Sequence, residues 1–256
     1  MRLHELASAC YLYSARFGFD SALSDFRRAT RPRLDITKPG HRKALLVWLN
    51  KWGCRHIAIE HHGTASRSVA KWALDYAPTL PGPRARLWNE PSDQALDAAA
   101  EAYDGLRSAR AGLGSRGSKA WPVRFGPTAA AKALYALRPD FFPPWDDAIR
   151  KRFDYDGSAE SFRAFLVQVR TDIRALQKEA ATFGIGANEI QAALGRPESS
   201  LPKLIDEFYW VTLSGEYKLP TTDELRRWAR WCGTAASRMD APPRSVRARS
   251  RSLPSP

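Results

Sequence analysis

The residues best placed to do chemistry lie between Trp121 and Phe153. Asp146 directly follows a loop rich in aromatic residues and proline, and it stands where a short helix over residues 148–153 is predicted to begin. A carboxylate in such a position can stabilise a developing positive charge or orient a water molecule for attack. Aspartate at a helix start is also a common N-cap, so its position is equally compatible with a purely structural role.

A second group of candidates lies at the start of the preceding helix, which is predicted over residues 128–137. Gly126 comes just before this alanine-rich segment. A turn whose N–H groups point outward at a helix N-terminus favours binding of a phosphate. Thr128 and Lys132 are one turn apart and therefore share a helix face. Lys132 on this face is a candidate for contact with solvent or with a phosphate.

Residues 121–153 resemble the helix-hairpin-helix DNA glycosylases, and in particular their 8-oxoguanine glycosylase-like branch. In that family a Gly-x-Gly hairpin leads into a helix of small residues, and a later Pro-x-Asp motif carries the catalytic aspartate at a helix N-terminus. Gly126 corresponds to the second hairpin glycine, Ala130 to a small helix residue, and residues 144–146 to Pro-x-Asp. The resemblance implies excision of a damaged or modified base from double-stranded DNA, with Asp146 as the catalytic carboxylate.

Two departures from the family pattern bear on the chemistry. Arg124 stands where the family has the first hairpin glycine, and Thr128 stands where bifunctional members have the lysine that forms a Schiff base. The resemblance therefore implies hydrolysis rather than lyase chemistry. Lys132, the nearest lysine on the helix, is the candidate for a displaced amine nucleophile, with contact to solvent or phosphate as the alternative. The alternative is a DNA-binding protein that keeps the hairpin and has lost catalysis.

Further residues of the segment are candidates for binding DNA. Lys119 and Arg124 flank the hairpin and are predicted to contact phosphates. Phe142 and Trp145 are predicted to stack on an extruded base, as base-flipping enzymes require. Packing of these rings in the core is the alternative, because aromatic side chains between two helices usually fill the interior.

Hydrophobic residues recur at helical spacing along most of the chain, and the alternation typical of strands is almost absent. We expect an all-α protein in which residues 1–237 form a helical bundle like that of the helix-hairpin-helix glycosylases. One form of such a bundle has two helical subdomains around a cleft. The predicted helices cover residues 3–16, 41–52, 66–76, 92–113, 128–137, 148–153, 158–183, 187–194, 201–213 and 221–236. A glycine- and serine-rich linker is predicted after the fourth helix. The seventh carries a broad apolar stripe, and Thr221 and Glu224 have capping-box spacing.

The charge balance favours a polyanionic partner. The chain has 40 lysines and arginines against 27 acidic residues, a net charge of +13. Residues 238–256 contribute five arginines and one aspartate with almost nothing apolar, so we predict a disordered basic tail. The remaining excess lies in the folded part and fits binding to DNA phosphates. The alternative is a compositional bias without functional meaning.

The cysteines give no sign of a disulfide framework or a zinc site. Cys10, Cys54 and Cys232 are far apart, and Cys54 with His56 lacks the paired spacing of structural zinc ligands. We therefore expect no metal and no cofactor. No apolar run is long enough for a membrane helix, and the first residues lack the pattern of a signal peptide. We expect a cytoplasmic, nucleoid-associated monomer.

Overall fold

The computed structural model describes residues 1–17, 19–89, 91–116 and 119–239. The chain divides into two compact units, Met1–Leu219 and Pro220–Pro256. This boundary comes earlier than the predicted domain end at residue 237. Most of the predicted basic tail, residues 240–256, lies outside the described residues. None of the helices in the described part of the chain combines the length and apolar character that a membrane crossing requires.

The described residues form eleven α-helices and one antiparallel two-stranded sheet. The helices are α1 (Leu3–Arg16), α2 (Phe19–Ala29), α3 (Pro39–Lys51), α4 (His62–Tyr76), α5 (Asp93–Ser108), α6 (Gly126–Leu137), α7 (Asp147–Arg152), α8 (Ala159–Thr182), α9 (Ile190–Ala193), α10 (Leu201–Tyr209) and α11 (Thr222–Met239). The strands are β1 (Arg110–Arg116) and β2 (Lys119–Arg124). A 3₁₀ turn (Ile59–His61) precedes α4, and a π-helical turn (Trp210–Ser214) continues α10. The predicted mainly helical class is confirmed.

Helix α8 carries the apolar stripe predicted from the sequence. The side chains of the stripe are completely buried, namely Phe162, Phe165, Leu166, Val169, Ile173 and Leu176. The helix packs against α5 and α10. Its N-terminus is capped by Ser158, whose Oγ accepts a hydrogen bond from the backbone N–H of Ser161 at 3.2 Å. This helix therefore contributes one long, fully buried face to the core of the first unit.

The predicted linker after α5 is instead a β-hairpin. Strands β1 and β2 pair in register with Gly114 opposite Trp121, and an irregularity lies between Arg110 and Gly112. A Cβ atom on Gly114 would lie 2.5 Å from the Trp121 ring, and one on Gly112 would lie 2.8 Å from the His61 ring. The glycines are therefore sites where side chains pack directly on a strand backbone, rather than signs of a flexible linker.

Helix α2 is absent from the sequence-based predictions. Among its described side chains only Leu23 and Phe26 are buried apolar residues, too few to produce a recognisable helical stripe. The helix packs on α3, where the ring of Phe26 stacks on Trp48 with 5.0 Å between centroids. Tertiary contact, rather than a local pattern, therefore accounts for this element.

Small residues bring α6 close to α5. The side chains of Ala129, Ala130 and Ala133 are buried and face a tightly packed interior. Across the interface, the predicted apolar face of α5 is buried at Leu96, Ala99, Tyr103 and Leu106. Lys132 is only partly buried, so this helix both packs in the core and presents a charged group at its edge.

The second unit begins with the predicted capping box. The Oγ1 atom of Thr221 accepts a hydrogen bond from the Glu224 N–H at 3.2 Å, and a Glu224 carboxylate oxygen accepts one from the Thr221 N–H at 2.7 Å. The two bonds satisfy backbone donors that the first turn of a helix leaves without partners. They fix the start of α11.

Candidate active site

Asp146 is the N-cap of α7. Its Oδ1 atom accepts a hydrogen bond from the backbone N–H of Ile149 at 3.0 Å, and its side chain is partly exposed. The adjacent Asp147 is exposed and forms ion pairs with the buried Arg150 and the exposed Lys151. The capping role considered from the sequence is thus present, and it holds the Asp146 carboxylate in one orientation.

Lys132 extends from α6 towards the end of α3. Its Nζ donates a hydrogen bond to the carbonyl oxygen of Trp52 at 2.6 Å and lies 5.6 Å from the centre of the Trp52 ring. Trp52 is itself held by stacking on Tyr135, with ring centroids 5.8 Å apart. The amine is therefore positioned by a buried aromatic layer and does not project freely into solvent.

Lys132 and Asp146 line the same small pocket. A third charged residue, Asp206 from α10, completes the polar lining. The other lining residues are Tyr13, Trp52, Pro144 and Trp210. The volume is about 50 Å³, which leaves room for one or two water molecules. The two residues predicted to be catalytic are therefore brought together, in a pocket that must open before it can receive anything larger than water.

Beneath Asp206 lies a buried network of charged side chains. The Nζ atom of Lys203 is 3.1 Å from a carboxylate oxygen of Asp206 and 3.2 Å from one of Glu207. Arg196 pairs with Glu207 at 2.9 Å. Lys203 and Glu207 are essentially without solvent exposure. Two cations and two carboxylates are thus paired within the interior, where an unpaired charge would be very unfavourable.

The electrostatic setting distinguishes Asp206 from an ordinary surface carboxylate. Burial raises the pKa of Asp206 to about 6, and the negative charge of Asp146 acts in the same direction against the lowering effect of Lys203. Burial alone would lower the pKa of Lys203, but Glu207 and other neighbours outweigh it, so that the pKa lies well above its ordinary value. The lysine therefore stays charged while Asp206 titrates near neutrality.

Asp206 was not among the residues selected from the sequence, although a signal for it exists. Helix α10 is buried on almost every side, and it nevertheless contains Lys203, Asp206 and Glu207 at spacings of three and four residues. Charged residues are rarely buried unless they are paired. Acids and a base at helical spacing within an apolar helix therefore indicate an internal ion network.

The turn before α6 differs from the expected helix-hairpin-helix arrangement. A strand, β2, rather than a helix leads into it, because the preceding residues pair with β1. Gly126 opens α6 with a φ of +71°, a left-handed conformation that glycine adopts without strain. The carbonyl oxygen of Phe125 is held 2.8 Å from His56 Nε2. The predicted glycine is thus at a tight turn, but the turn joins a strand to a helix.

The predicted DNA-contacting residues fall into two groups. Lys119 and Arg124 lie on β2 with exposed side chains, and Arg124 donates a hydrogen bond to the Ser108 carbonyl oxygen at 3.1 Å. The hydroxyl of Thr128 instead accepts a hydrogen bond from Arg150 at 2.9 Å, which joins α6 to α7. Gly126 and Thr128, both described, are outside the set of residues lining the pocket.

The prediction that Phe142 and Trp145 form a base pocket is wrong for this structure. Both side chains have 0% exposure. Trp145 stacks on Phe165 with 5.0 Å between ring centroids, and Phe142 stacks on Phe162 at 6.3 Å. The rings fill the space beside α8, so neither can stack on a base without unpacking the core. The aromatic walls of the pocket come from Tyr13, Trp52 and Trp210 instead.

Comparisons with models of protein families, with curated proteins and with solved structures found no match for this chain. Within the described ranges, no group of three or more histidine, cysteine, aspartate or glutamate residues is arranged to hold a metal ion. Cys54 is buried, and His56 hydrogen-bonds the turn before α6.

Proposed function

We propose that this chain is a DNA base-excision glycosylase that hydrolyses the N-glycosidic bond of a damaged or modified base. The observation that carries the proposal is the convergence of Lys132, Asp146 and Asp206 on one pocket with aromatic walls. Asp146 and Lys132 were selected from the resemblance to glycosylases, and Asp206 comes from outside the resembling segment. A cation and two carboxylates beside aromatic rings suit a reaction in which an extruded base leaves its sugar.

The proposed reaction breaks the bond between C1′ of the sugar and the base nitrogen, and the electron pair goes to the base. A water oxygen forms the new bond to C1′. Asp146 stabilises the positive charge that develops on the sugar and accepts a hydrogen bond from the attacking water. The proton lost by the water passes through the carboxylate to solvent, and the released base takes up a proton from solvent. Oδ2 of Asp146 serves this role, since Oδ1 caps α7.

Lys132 supports hydrolysis rather than lyase chemistry. A lysine that forms a Schiff base must offer its nitrogen lone pair to the sugar. The amine of Lys132 instead donates to the Trp52 carbonyl oxygen at 2.6 Å. We assign it the stabilisation of negative charge on the departing base. The proposed enzyme is accordingly monofunctional.

The proposed DNA contacts lie at the start of α6 and on the strand before it. Lys119 and Arg124 are exposed, and each can neutralise one phosphate. The N–H groups of Gly126 and Thr128 belong to the first turn of α6, where a helix has no internal partners for its donors. The basic charge of the chain fits a protein that acts on chromosomal DNA, which we propose to be in the cytoplasm.

Trp210 is proposed to move when a base enters. A pocket of about 50 Å³ holds water but no base, so one wall must be displaced. Trp210 is the first residue of the π-helical turn that continues α10, and its side chain is only partly buried. Such turns interrupt the regular helix and frequently occur at functional sites. Trp210 is more exposed than Trp52, which is buried and stacked on Tyr135. Its movement must separate its ring from that of Phe17, where the centroids are 4.3 Å apart.

The test is direct incubation of the purified full chain with short DNA duplexes, each carrying one altered base. Abasic sites are revealed by cleavage of the strand with hot alkali. We expect alkali-dependent cleavage at one class of altered base and no cleavage without alkali, because a monofunctional enzyme leaves the strand intact. Cleavage without alkali would contradict the assignment of Lys132.

The second candidate is a DNA-binding protein of the same architecture without catalysis. The small volume of the pocket favours it, and so does the engagement of Lys132 with Trp52. This candidate predicts tight, salt-dependent binding to duplex DNA and no abasic sites on any altered duplex. Absence of both binding and base release would exclude both candidates.

A further inference from the structure

A second and much larger cavity is separate from the pocket of Asp146. It has a volume of about 750 Å³ and shares no lining residue with that pocket. Its walls are formed by the end of α2, the loop over residues 30–36, the loop after α4 and the C-terminal end of α6. Ligand-binding pockets typically have volumes of about 300–1,000 Å³. We call it the arginine cleft, after its lining residues Arg27, Arg31, Arg33 and Arg138.

The cleft has an excess of positive charge. Its acidic lining residues are Asp35 and Glu198. The Oδ1 atom of Asp35 already accepts hydrogen bonds from the backbone and side chain of Thr37, at 3.0 and 2.6 Å. Arg27 contacts Glu198 through the backbone carbonyl oxygen, at 3.1 Å, and not through the carboxylate. In the part of the chain that the structure describes, none of the four arginines forms a salt bridge with a carboxylate.

Arg138 is the arginine most firmly positioned for a ligand. Its Nε donates to the Pro81 carbonyl oxygen at 3.0 Å and its Nη1 to that of Leu137 at 2.9 Å. Burial, together with the positive charge of Arg33, lowers the pKa of Arg138. Arg33 and Arg138 thus lie close enough for their charges to repel each other, and neither forms a salt bridge with a described carboxylate. A bound anion would relieve this repulsion, and phosphate matches the donor geometry of a guanidinium group.

The other wall of the cleft is apolar. Leu23, Phe26, Ile36 and Leu80 line it and are almost fully buried. Tyr135 also lines the cleft. The cavity therefore combines donors for an anion with an apolar wall.

We infer that the arginine cleft binds a nucleotide, with the phosphate on the arginines and the base against the apolar wall. Inorganic phosphate would leave most of the volume empty, and a neutral base would leave the cationic side unpaired. The phosphate monoester has two sources, a free nucleotide or the 5′-phosphorylated end of a DNA strand. The inference does not depend on base excision, because the two cavities have no residue in common.

The experiment measures binding of the full chain by calorimetry. The free ligands are 2′-deoxyadenosine 5′-monophosphate, 2′-deoxyadenosine and inorganic phosphate. A short single-stranded oligonucleotide is tested with and without a 5′-phosphate. If the source is a free nucleotide, we expect 2′-deoxyadenosine 5′-monophosphate to bind at least tenfold more tightly than 2′-deoxyadenosine and than inorganic phosphate. If the source is a DNA end, we expect the 5′-phosphorylated oligonucleotide to bind at least tenfold more tightly than the unphosphorylated one and than inorganic phosphate. Whichever of the two binds identifies the source of the phosphate.

Matched arginine variants locate the binding. Arg33 is exposed, so Arg33→Gln should fold normally and weaken the preferred ligand at least tenfold. Arg28→Gln removes an exposed arginine from the same region that does not line the cleft, and it should leave the affinity unchanged. Asp146→Asn should also have no effect, which separates this site from the proposed active site. The inference is overturned if no phosphorylated ligand binds, if inorganic phosphate binds as well as the nucleotide, or if Arg33→Gln binds like the wild type.

Discussion

Asp146 and Asp206 lie on different elements and line one small pocket, and the negative charge of Asp146 adds to the effect of burial that raises the pKa of Asp206. Asp146 is partly exposed and bound to a helix N-terminus, whereas Asp206 is almost fully buried beside Lys203. The two carboxylates thus share one pocket while differing in burial and in their hydrogen-bond and ion-pair partners.

The rate of base release should increase as the pH rises through about 6. Because the pKa of Asp206 is raised to about 6, its carboxyl group is neutral below that pH and charged above it. Ionisation adds a second negative charge beside the cation that develops on the sugar. Single-turnover rates between about pH 5 and pH 8 should show this increase, and Asp206→Asn should give a lower rate without it. A wild-type rate that falls over the same range would instead identify Asp206 as a proton donor.

Asp146→Asn should slow base release strongly without unfolding the protein. Asparagine caps a helix about as well as aspartate, so the hydrogen bond to the Ile149 N–H can be kept. The rate should fall by about 10²–10⁴-fold, the usual contribution of an acid–base group. Binding of duplex DNA should stay within a few-fold of wild type.

Asp147→Asn provides the matched control for Asp146→Asn. It removes the neighbouring carboxylate, which is exposed and paired with Arg150 and Lys151. This variant should retain most of the activity. Equal loss in the two variants would place the effect in α7 as a whole and not in the pocket.

Periodicity was sufficient to predict most helices, including α1 at its observed bounds and the buried stripe of α8. It failed for α2, whose stability comes from contact with α3. It also failed for the β-hairpin, where Gly112 and Gly114 have contacts that sequence spacing does not encode. Local pattern therefore predicts elements that carry their own apolar face, and it misses those that depend on a neighbour.

In the candidate site, too, the sequence predicted the residues that a local pattern connects and missed the one that joins them only through tertiary packing. Asp146 and Lys132 were selected because a motif and a helix face relate residues that are near in sequence. Asp206 joins them only through packing of α10 against the rest of the unit. For Phe142 and Trp145, residue type alone could not decide between a base pocket and the core. Their complete burial shows that they pack in the core.

Lys203→Met should strongly destabilise the protein at neutral pH. The substitution leaves Asp206 and Glu207 buried without their shared cation, and breaking a buried pair costs about 3–5 kcal/mol. Lys151→Met breaks an exposed pair with Asp147 and should leave the free energy of unfolding almost unchanged. Urea denaturation of both variants measures the difference. Similar small effects in the two variants would contradict the importance of the buried network.

The cost of Lys203→Met should decrease at lower pH. Loss of the lysine removes the interaction that lowers the pKa of Asp206, so the folded-state pKa rises further above that of the unfolded chain. Because the pKa of Asp206 is then higher in the folded than in the unfolded chain, its ionisation destabilises the fold as the pH rises from the unfolded-state pKa to the folded-state pKa. Below both pKa values the carboxyl group is protonated in both states, and this destabilisation is absent. Unfolding experiments at about pH 5 and pH 8 should therefore show a smaller difference from wild type at the lower pH.

Lys119→Gln and Arg124→Gln should each lower the salt dependence of DNA binding. Both side chains are exposed on β2, and removal of one phosphate contact reduces the slope of log affinity against log salt by about one unit. Lys178→Gln, which removes an exposed lysine from α8, is the control for loss of a charge elsewhere.

Deletion of residues 238–256 removes five arginines and one aspartate, and it should weaken non-specific binding while leaving the melting temperature unchanged. If only the deletion changes the slope, DNA binding belongs to the tail, and the proposed contacts beside α6 lose their support.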